Sequence, residues 1–144
     1  MYQNSVAVVV LIQPVIRLER GYKVGLLVIQ RADPEEDGYN RWAFPGGYVE
    51  QEDVRLALAR EVREELGLEL DHDKLFIKDV QSVPDGSKHL IFFQAPRMLE
   101  ERIPSLTPSD EVIRVKIIGD INEVQWAFPL HREQAKKFFA GIDK

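Results

Sequence analysis

Residues 46–68 constrain this chain more than any other stretch. A Gly46-Gly47 turn runs into an amphipathic helix whose last turns carry Arg60, Glu61, Glu64 and Glu65, closed by Gly67. At about 100° per residue the three glutamates share one arc of the helix, while Leu56, Ala59, Val62 and Leu66 share another that suits burial. Like charges at i,i+4 weaken a helix, so a chain that keeps three carboxylates together gains something from them. A divalent cation is one such gain. The plainer alternative is a solvated acidic face whose glutamates pair with neighbouring arginines.

The order of the parts narrows that choice. Pro45-Gly46-Gly47, then Glu52, then the acidic helix end, then Gly67 as terminator resembles the Nudix box, G-x5-E-x7-R-E-U-x-E-E-x-G-U, where U is bulky and apolar. Gly46, Glu52, Arg60, Glu61, Val62, Glu64, Glu65, Gly67 and Leu68 occupy every specified position. The spacing holds when counted from Gly46; from Gly47 the loop is one residue short. Two pairs of alternatives follow: Gly46 or Gly47 for the carbonyl that faces a metal, and Glu52 or Asp53 for the first acidic role.

The resemblance implies a fold and a chemistry. The fold is α/β, an α/β/α sandwich with a mixed sheet between helices, with residues 1–144 forming a single domain. Magnesium prefers oxygen ligands in an octahedron, keeps several waters and is completed by substrate phosphates, and Mn2+ is the natural substitute. Carried over from the family, Glu61 and Glu65 are principal ligands with the Gly46 carbonyl, and Glu64 is a further ligand or the base. Glu61, Glu64 and Glu65 are thus the catalytic set. Arg60 resembles a residue that pairs with a carboxylate and orients it, and Glu52 belongs beside it. Some relatives take the general base from a loop outside the box, and Glu111 before a strand is the candidate here, the alternative being an exposed loop acid. Arg31, at a strand end, is a candidate phosphate contact. Trp42 is a candidate for stacking on a base, whereas Phe44 reads as core.

The implied reaction is hydrolysis of a pyrophosphate bond in a nucleoside diphosphate linked to another moiety, of the ADP-ribose or nucleotide-sugar type. A nucleoside triphosphate pyrophosphatase that removes oxidised nucleotides is the alternative. A ligand sensor that does not hydrolyse is a third, although its usual signs, eroded box glutamates and an attached DNA-binding domain, are missing. The segment Trp126-Ala127-Phe128-Pro129-Leu130-His131 and Pro84, 16 residues after Leu68, resemble features of ADP-ribose members and tilt the substrate towards that type.

Composition bounds what else is possible. The 144 residues are 44% hydrophobic and 30% charged, which suits one soluble globular domain. A net charge of −5 argues against a sequence-independent nucleic-acid surface; a nucleotide ligand stays open, since a bound cation inverts the local field. With no cysteine there is no disulfide framework and no thiolate chemistry. Val6 to Ile12 is too short to span a bilayer and lacks a basic lead-in, so the expected location is cytoplasmic, with no membrane partner. That apolar run reads as a buried strand or, as relatives often dimerise, as a homodimer surface.

The remaining elements follow from periodicity and punctuation. Strands are expected at Lys23–Arg31, Leu75–Val83, His89–Gln94, Glu111–Ile118 and, briefly, Val124–Ala127. Asp33–Asn40 and Arg97–Pro108 read as loops, and Pro84–Ser87 as a hairpin turn. The first helix is expected to start from Asp53 as N-cap and end at Leu66 before Gly67. A second is expected from Pro129 to Phe139, with Pro in its first turn. His72, His89 and His131 show no ligand spacing and are expected at the surface.

Overall fold

A computed structural model describes residues 5–141. Its elements, in chain order, are β1 (Ser5–Leu11), β2 (Pro14–Arg17), β3 (Tyr22–Val24), β4 (Leu26–Arg31), β5 (Trp42–Ala43), β6 (Gly46–Tyr48), α1 (Val54–Leu66), β7 (Phe76–Ser82), β8 (Lys88–Gln94), β9 (Met98–Leu99), β10 (Val112–Ile118) and α2 (Pro129–Gly141). The fold is mixed α/β. No helix among the described residues is long and apolar enough to cross a membrane. The chain divides into two compact units, residues 5–12 with Pro45–Pro96, and Gln13–Phe44 with residues 97–141.

The first unit is built on a four-stranded sheet in the order β6-β1-β8-β7. β1 runs antiparallel to β6 and parallel to β8, so it is central. Its apolar run from Ala7 to Leu11 is buried throughout, as a strand covered on both faces must be. With neighbours on both sides, β1 is a core strand and offers no free edge for pairing with a second chain. Helix α1 packs on β1 and β6. Its start is fixed by Asp53, whose Oδ1 accepts from the N–H groups of Arg55 (2.8 Å) and Leu56 (3.4 Å); its end is Gly67, at φ 68° with its N–H on the Arg63 carbonyl. Ala59, Val62 and Leu66 are buried as their arc requires, together with Ala57 and Leu58. Leu56 is not: it is 47% exposed, because it lies about 60° beyond Ala59 on the wheel, past the edge of the packed face.

β7 and β8 form the expected hairpin. In its turn Asp85 Oδ1 accepts from the N–H and Oγ of Ser87 and Gly86 takes φ 73°, so Pro84 opens an ordinary tight turn. A bulge between Ile77 and Asp79 shifts the register so that Ile77 faces Phe93 and Val80 faces Ile91.

The second unit holds two three-stranded sheets, β10-β4-β5 and β3-β2-β9. The long strand expected over Lys23–Arg31 is broken at Gly25, whose N–H donates to the Pro14 carbonyl at 3.0 Å. A Cβ there would meet Ile117 Cγ2 at 2.6 Å and the Ile118 carbonyl oxygen at 2.8 Å, so β10 approaches too closely for any side chain at that point. Strand β2 was not expected. It pairs with β3 and, in parallel, with β9, which falls in the segment 97–108 read as a loop. Val124–Ala127 forms no strand and contributes a single bridge, Trp126 to Trp42. Helix α2 begins at Pro129 as expected and runs to Gly141. His131 departs from its expected surface position: it is 4% exposed, and its Nδ1 accepts the buried Phe44 N–H at 3.1 Å.

Candidate active site

The site of the first unit grows from β6 and the C-terminal half of α1. Gly46 and Gly47 pair with Val9 and Val8 of β1. This fixes their backbone at the edge of the sheet, beside the helix that follows. Gly46 donates its N–H to Glu65 Oε1 at 3.0 Å. Gly47 has no side chain where the carboxylate of Glu61 stands: a Cβ there would lie 2.5 Å from Oε2 and 2.7 Å from Oε1. Carboxylate oxygens of Glu61 and Glu65, one helical turn apart, lie within 4.8 Å of each other, and both residues are half-buried.

Arg60 organises the other acids. Its Nε and Nη2 clasp the Glu52 carboxylate, with Nε 3.1 Å and 3.2 Å from the two oxygens. Its Nη1 reaches Glu61 Oε1 at 3.1 Å and Glu64 Oε2 at 3.4 Å. One planar guanidinium thus serves three carboxylates, which a point-charge ammonium cannot do. Hydrogen bonding to Arg60 holds the Glu52 carboxyl below the usual glutamate range, while burial opposes that shift. The same bond raises the already high pKa of Arg60. The alternatives for the first acidic role separate here: Asp53 is occupied by the helix cap, and Glu52 takes the arginine.

The donor set suits a hard cation. The carboxylates of Glu61 and Glu65 converge within chelating reach and Glu64 is 52% exposed; the acidic arc overlaps the buried side of the helix, where Ala57 and Leu58 lie. Glu61 and Glu65 are the helix carboxylates whose oxygens lie close enough together to share a divalent cation, with Glu64 at the solvent side. These are oxygen ligands that leave coordination positions for water and phosphate.

The outlying candidates lie in the second unit. Arg31, at the end of β4, pairs with Glu36 at 2.7 Å, donates from Nε to the Asp37 carbonyl and stands over the Phe128 ring at 4.9 Å. Trp42 is a half-buried strand residue opposite Gln30. Glu111 is exposed immediately before β10, and its carbonyl accepts the Ala32 N–H. Phe44 packs against Trp126 and stacks on His131, as a core residue. Two residues escaped the sequence reading as contributors. Gly47 was treated only as an alternative to Gly46, although adjacent glycines beside a carboxylate helix are a signal for close approach. His131 belongs to the segment that carries a family resemblance, but nothing in it announces burial, because its partner is a backbone N–H from a distant segment.

Solved structures share the fold of this chain. A MutT/nudix family protein from Enterococcus faecalis superposes with a TM-score of 0.77 at 22% identity, covering all of this chain and 64% of that one. This chain therefore spans less than two thirds of that relative. A MutT/nudix family protein from Listeria innocua gives 0.73 at 22% identity over 99% and 96% of the two chains. The NUDIX domain of Shewanella oneidensis NrtR, complexed with ADP ribose, gives 0.72 at 15% identity over 96% and 88%. At these identities the likeness is one of fold. No curated protein matches the sequence. The NUDIX domain family model matches residues 1–141, and the chain belongs to that family.

Proposed function

We propose that this chain is a Mg2+-dependent hydrolase of the pyrophosphate bond in a nucleoside diphosphate linked to another moiety, of the ADP-ribose or nucleotide-sugar type. The observation that carries this reading is the intact carboxylate constellation on α1. Glu65 is seated on the Gly46 N–H, Glu61 in the space left by Gly47, and both Glu61 and Glu64 are drawn to Arg60. A chain that had lost catalysis would have no need to keep all three acids so arranged. The ADP ribose bound by the NrtR domain supports a ligand of this chemical class.

In this reading Glu61 and Glu65 hold the cation. Arg60 keeps Glu61 turned towards it and Glu52 keeps Arg60 in place, so two acids are oriented through one guanidinium. When bound, Mg2+ supplies charge neutralisation at the pyrophosphate oxygens and a more acidic water. Glu64, the most exposed of the three, is placed to take a second cation or a proton. Glu111 is proposed as a general base supplied from outside the helix. Arg31 and Trp42 are proposed substrate contacts for phosphate and base.

The test is a hydrolysis screen of nucleotide sugars, dinucleotides and nucleoside triphosphates with Mg2+ and with Mn2+, identifying products by mass. Release of AMP and a sugar phosphate from an ADP-ribose-type substrate supports the proposal. Inorganic pyrophosphate released from triphosphates moves the function to a triphosphate pyrophosphatase. Tight binding of a diphosphate with no turnover on any substrate makes the chain a sensor.

A further inference from the structure

The two glycines of the turn face different obstacles. A Cβ on Gly46 would strike the Val8 carbonyl oxygen and stand 2.9 Å from the Cα of Val9. Any side chain there collides with the backbone of β1, and the strand pairing itself is at stake. Gly47 is different. The three nearest atoms a Cβ would meet are the Cδ, Oε2 and Oε1 of Glu61, and all belong to one carboxylate. Nor does the backbone demand glycine at 47. The positive-φ glycines among the described residues are Gly21, Gly38, Gly67 and Gly86, so an L-residue can adopt the conformation of Gly47 without strain. What it cannot do is share space with Glu61.

The backbone side of that contact is held, and the carboxylate can yield only by leaving the place it takes beside Arg60. Gly47 is pinned to Val8 in the antiparallel ladder. Glu61 stands on a helix capped at both ends, with its carboxylate drawn to Arg60 at 3.1 Å. We infer that Gly47 is a positioning residue of the site: the absence of a side chain at 47 seats the Glu61 carboxylate, and the size of the residue there determines how well that carboxylate holds a divalent cation. The inference rests on the reading of Glu61 as a metal ligand. It has a corollary that a merely structural role lacks. Withdrawing the carboxylate by one methylene, as in Glu61→Asp, makes room for a methyl group at 47, so the two substitutions must be coupled rather than independent.

The experiment is a double-mutant cycle on the full chain: wild type, Gly47→Ala, Glu61→Asp and the double variant. Three quantities are read: Mn2+ binding without substrate, the thermal unfolding midpoint without metal, and the metal concentration for half-maximal hydrolysis separately from kcat. Gly47→Ala is expected to weaken Mn2+ binding by about tenfold or more, the size typical for groups that orient a ligand. It should raise the metal requirement more than it lowers kcat. The double variant is expected to bind Mn2+ no worse than Glu61→Asp alone. Should Gly47→Ala unfold too readily for binding to be measured, recovery of the midpoint in the double variant supports the inference, and failure to recover overturns it. Wild-type Mn2+ affinity in Gly47→Ala, or two effects that simply multiply, also overturns it. A wild type that binds Mn2+ but hydrolyses nothing removes the hydrolase reading and leaves Gly47 in its role, whereas a wild type that binds no Mn2+ removes both.

Discussion

The amide of Gly46 donates to Oε1 of Glu65 at 3.0 Å, joining the first strand of the box to the last carboxylate of its helix. A charge-assisted bond from a backbone N–H fixes the rotamer of that glutamate before any ligand arrives. It also separates charge from geometry. In Glu65→Gln the amide oxygen still accepts from Gly46, so the fold should persist while one negative charge is lost. Partners that merely orient a ligand are worth 10- to 100-fold, so if Glu65 holds the cation as proposed, loss of its charge should lower turnover with Mg2+ by more than about 100-fold. The unfolding midpoint should hardly move. Near wild-type turnover in Glu65→Gln would remove the helix end from the metal site.

A second expectation concerns acid. Arg60 holds the Glu52 carboxyl below its ordinary range, so the charged form is favoured in the folded chain. The sign follows from linkage: a depressed native pKa contributes stability that is complete above the unfolded value, about 4.3 for glutamate, and is lost as pH falls through the native one. The difference in unfolding midpoint between wild type and Glu52→Gln should therefore be constant from neutral pH down to about 5 and shrink below it. Both side chains are partly exposed, and the difference should be small and diminished by salt. A difference that grew on acidification would contradict the assignment. Arg60→Lys should keep the charge but lose the fork, weakening Mn2+ binding by roughly tenfold.

A third concerns the end of the helix. Gly67 takes φ 68° and closes α1 by donating to the Arg63 carbonyl, and a Cβ there would meet nothing within 4 Å. The cost of Gly67→Ala is therefore conformational alone, about 1 kcal/mol. Gly67→Asn should lose less, since asparagine tolerates the left-handed region better. Chemical denaturation of the three chains decides it, and equal stability for all three would refute the cap.

What the sequence revealed and what it withheld differ by range. Helix α1 was legible from Asp53 to Leu66 because cap, periodicity and terminator all act within a few residues. The choice between Glu52 and Asp53 was not legible, as it turns on which of two adjacent acids is consumed by the cap and which reaches Arg60 eight residues away. Strands β2 and β9 were not legible because both are short and are defined by their partners: β2 by antiparallel pairing with β3 and parallel pairing with β9, and β9 by the pairing of Met98 with Pro14 and Leu99 with Val15. The break at Gly25 depends on the approach of Ile117 and Ile118 from β10, a contact no local pattern announces. The carboxylates of the candidate site were legible because the box is local. The seat that Gly47 makes for Glu61 was not, because it requires knowing that β6 lies beside the helix.

The burial of His131 leads to the last expectation. Its Nδ1 accepts the Phe44 N–H at 3.1 Å, its ring stacks on Phe44 with centroids 5.7 Å apart, and Phe128 packs against it at 4.9 Å. Two functions of the side chain, filling space and accepting a hydrogen bond, can be removed one at a time. His131→Phe keeps an aromatic ring but leaves a buried N–H without its acceptor, at about 1–3 kcal/mol. His131→Asn retains an oxygen near the position of Nδ1 and loses the stacking. If the hydrogen bond matters more than the ring, His131→Phe should be the less stable of the two in denaturant titration. The reverse order would show that aromatic packing around Phe44 and Phe128 dominates, and equal stability with wild type for His131→Phe would mean that the Phe44 N–H finds another acceptor.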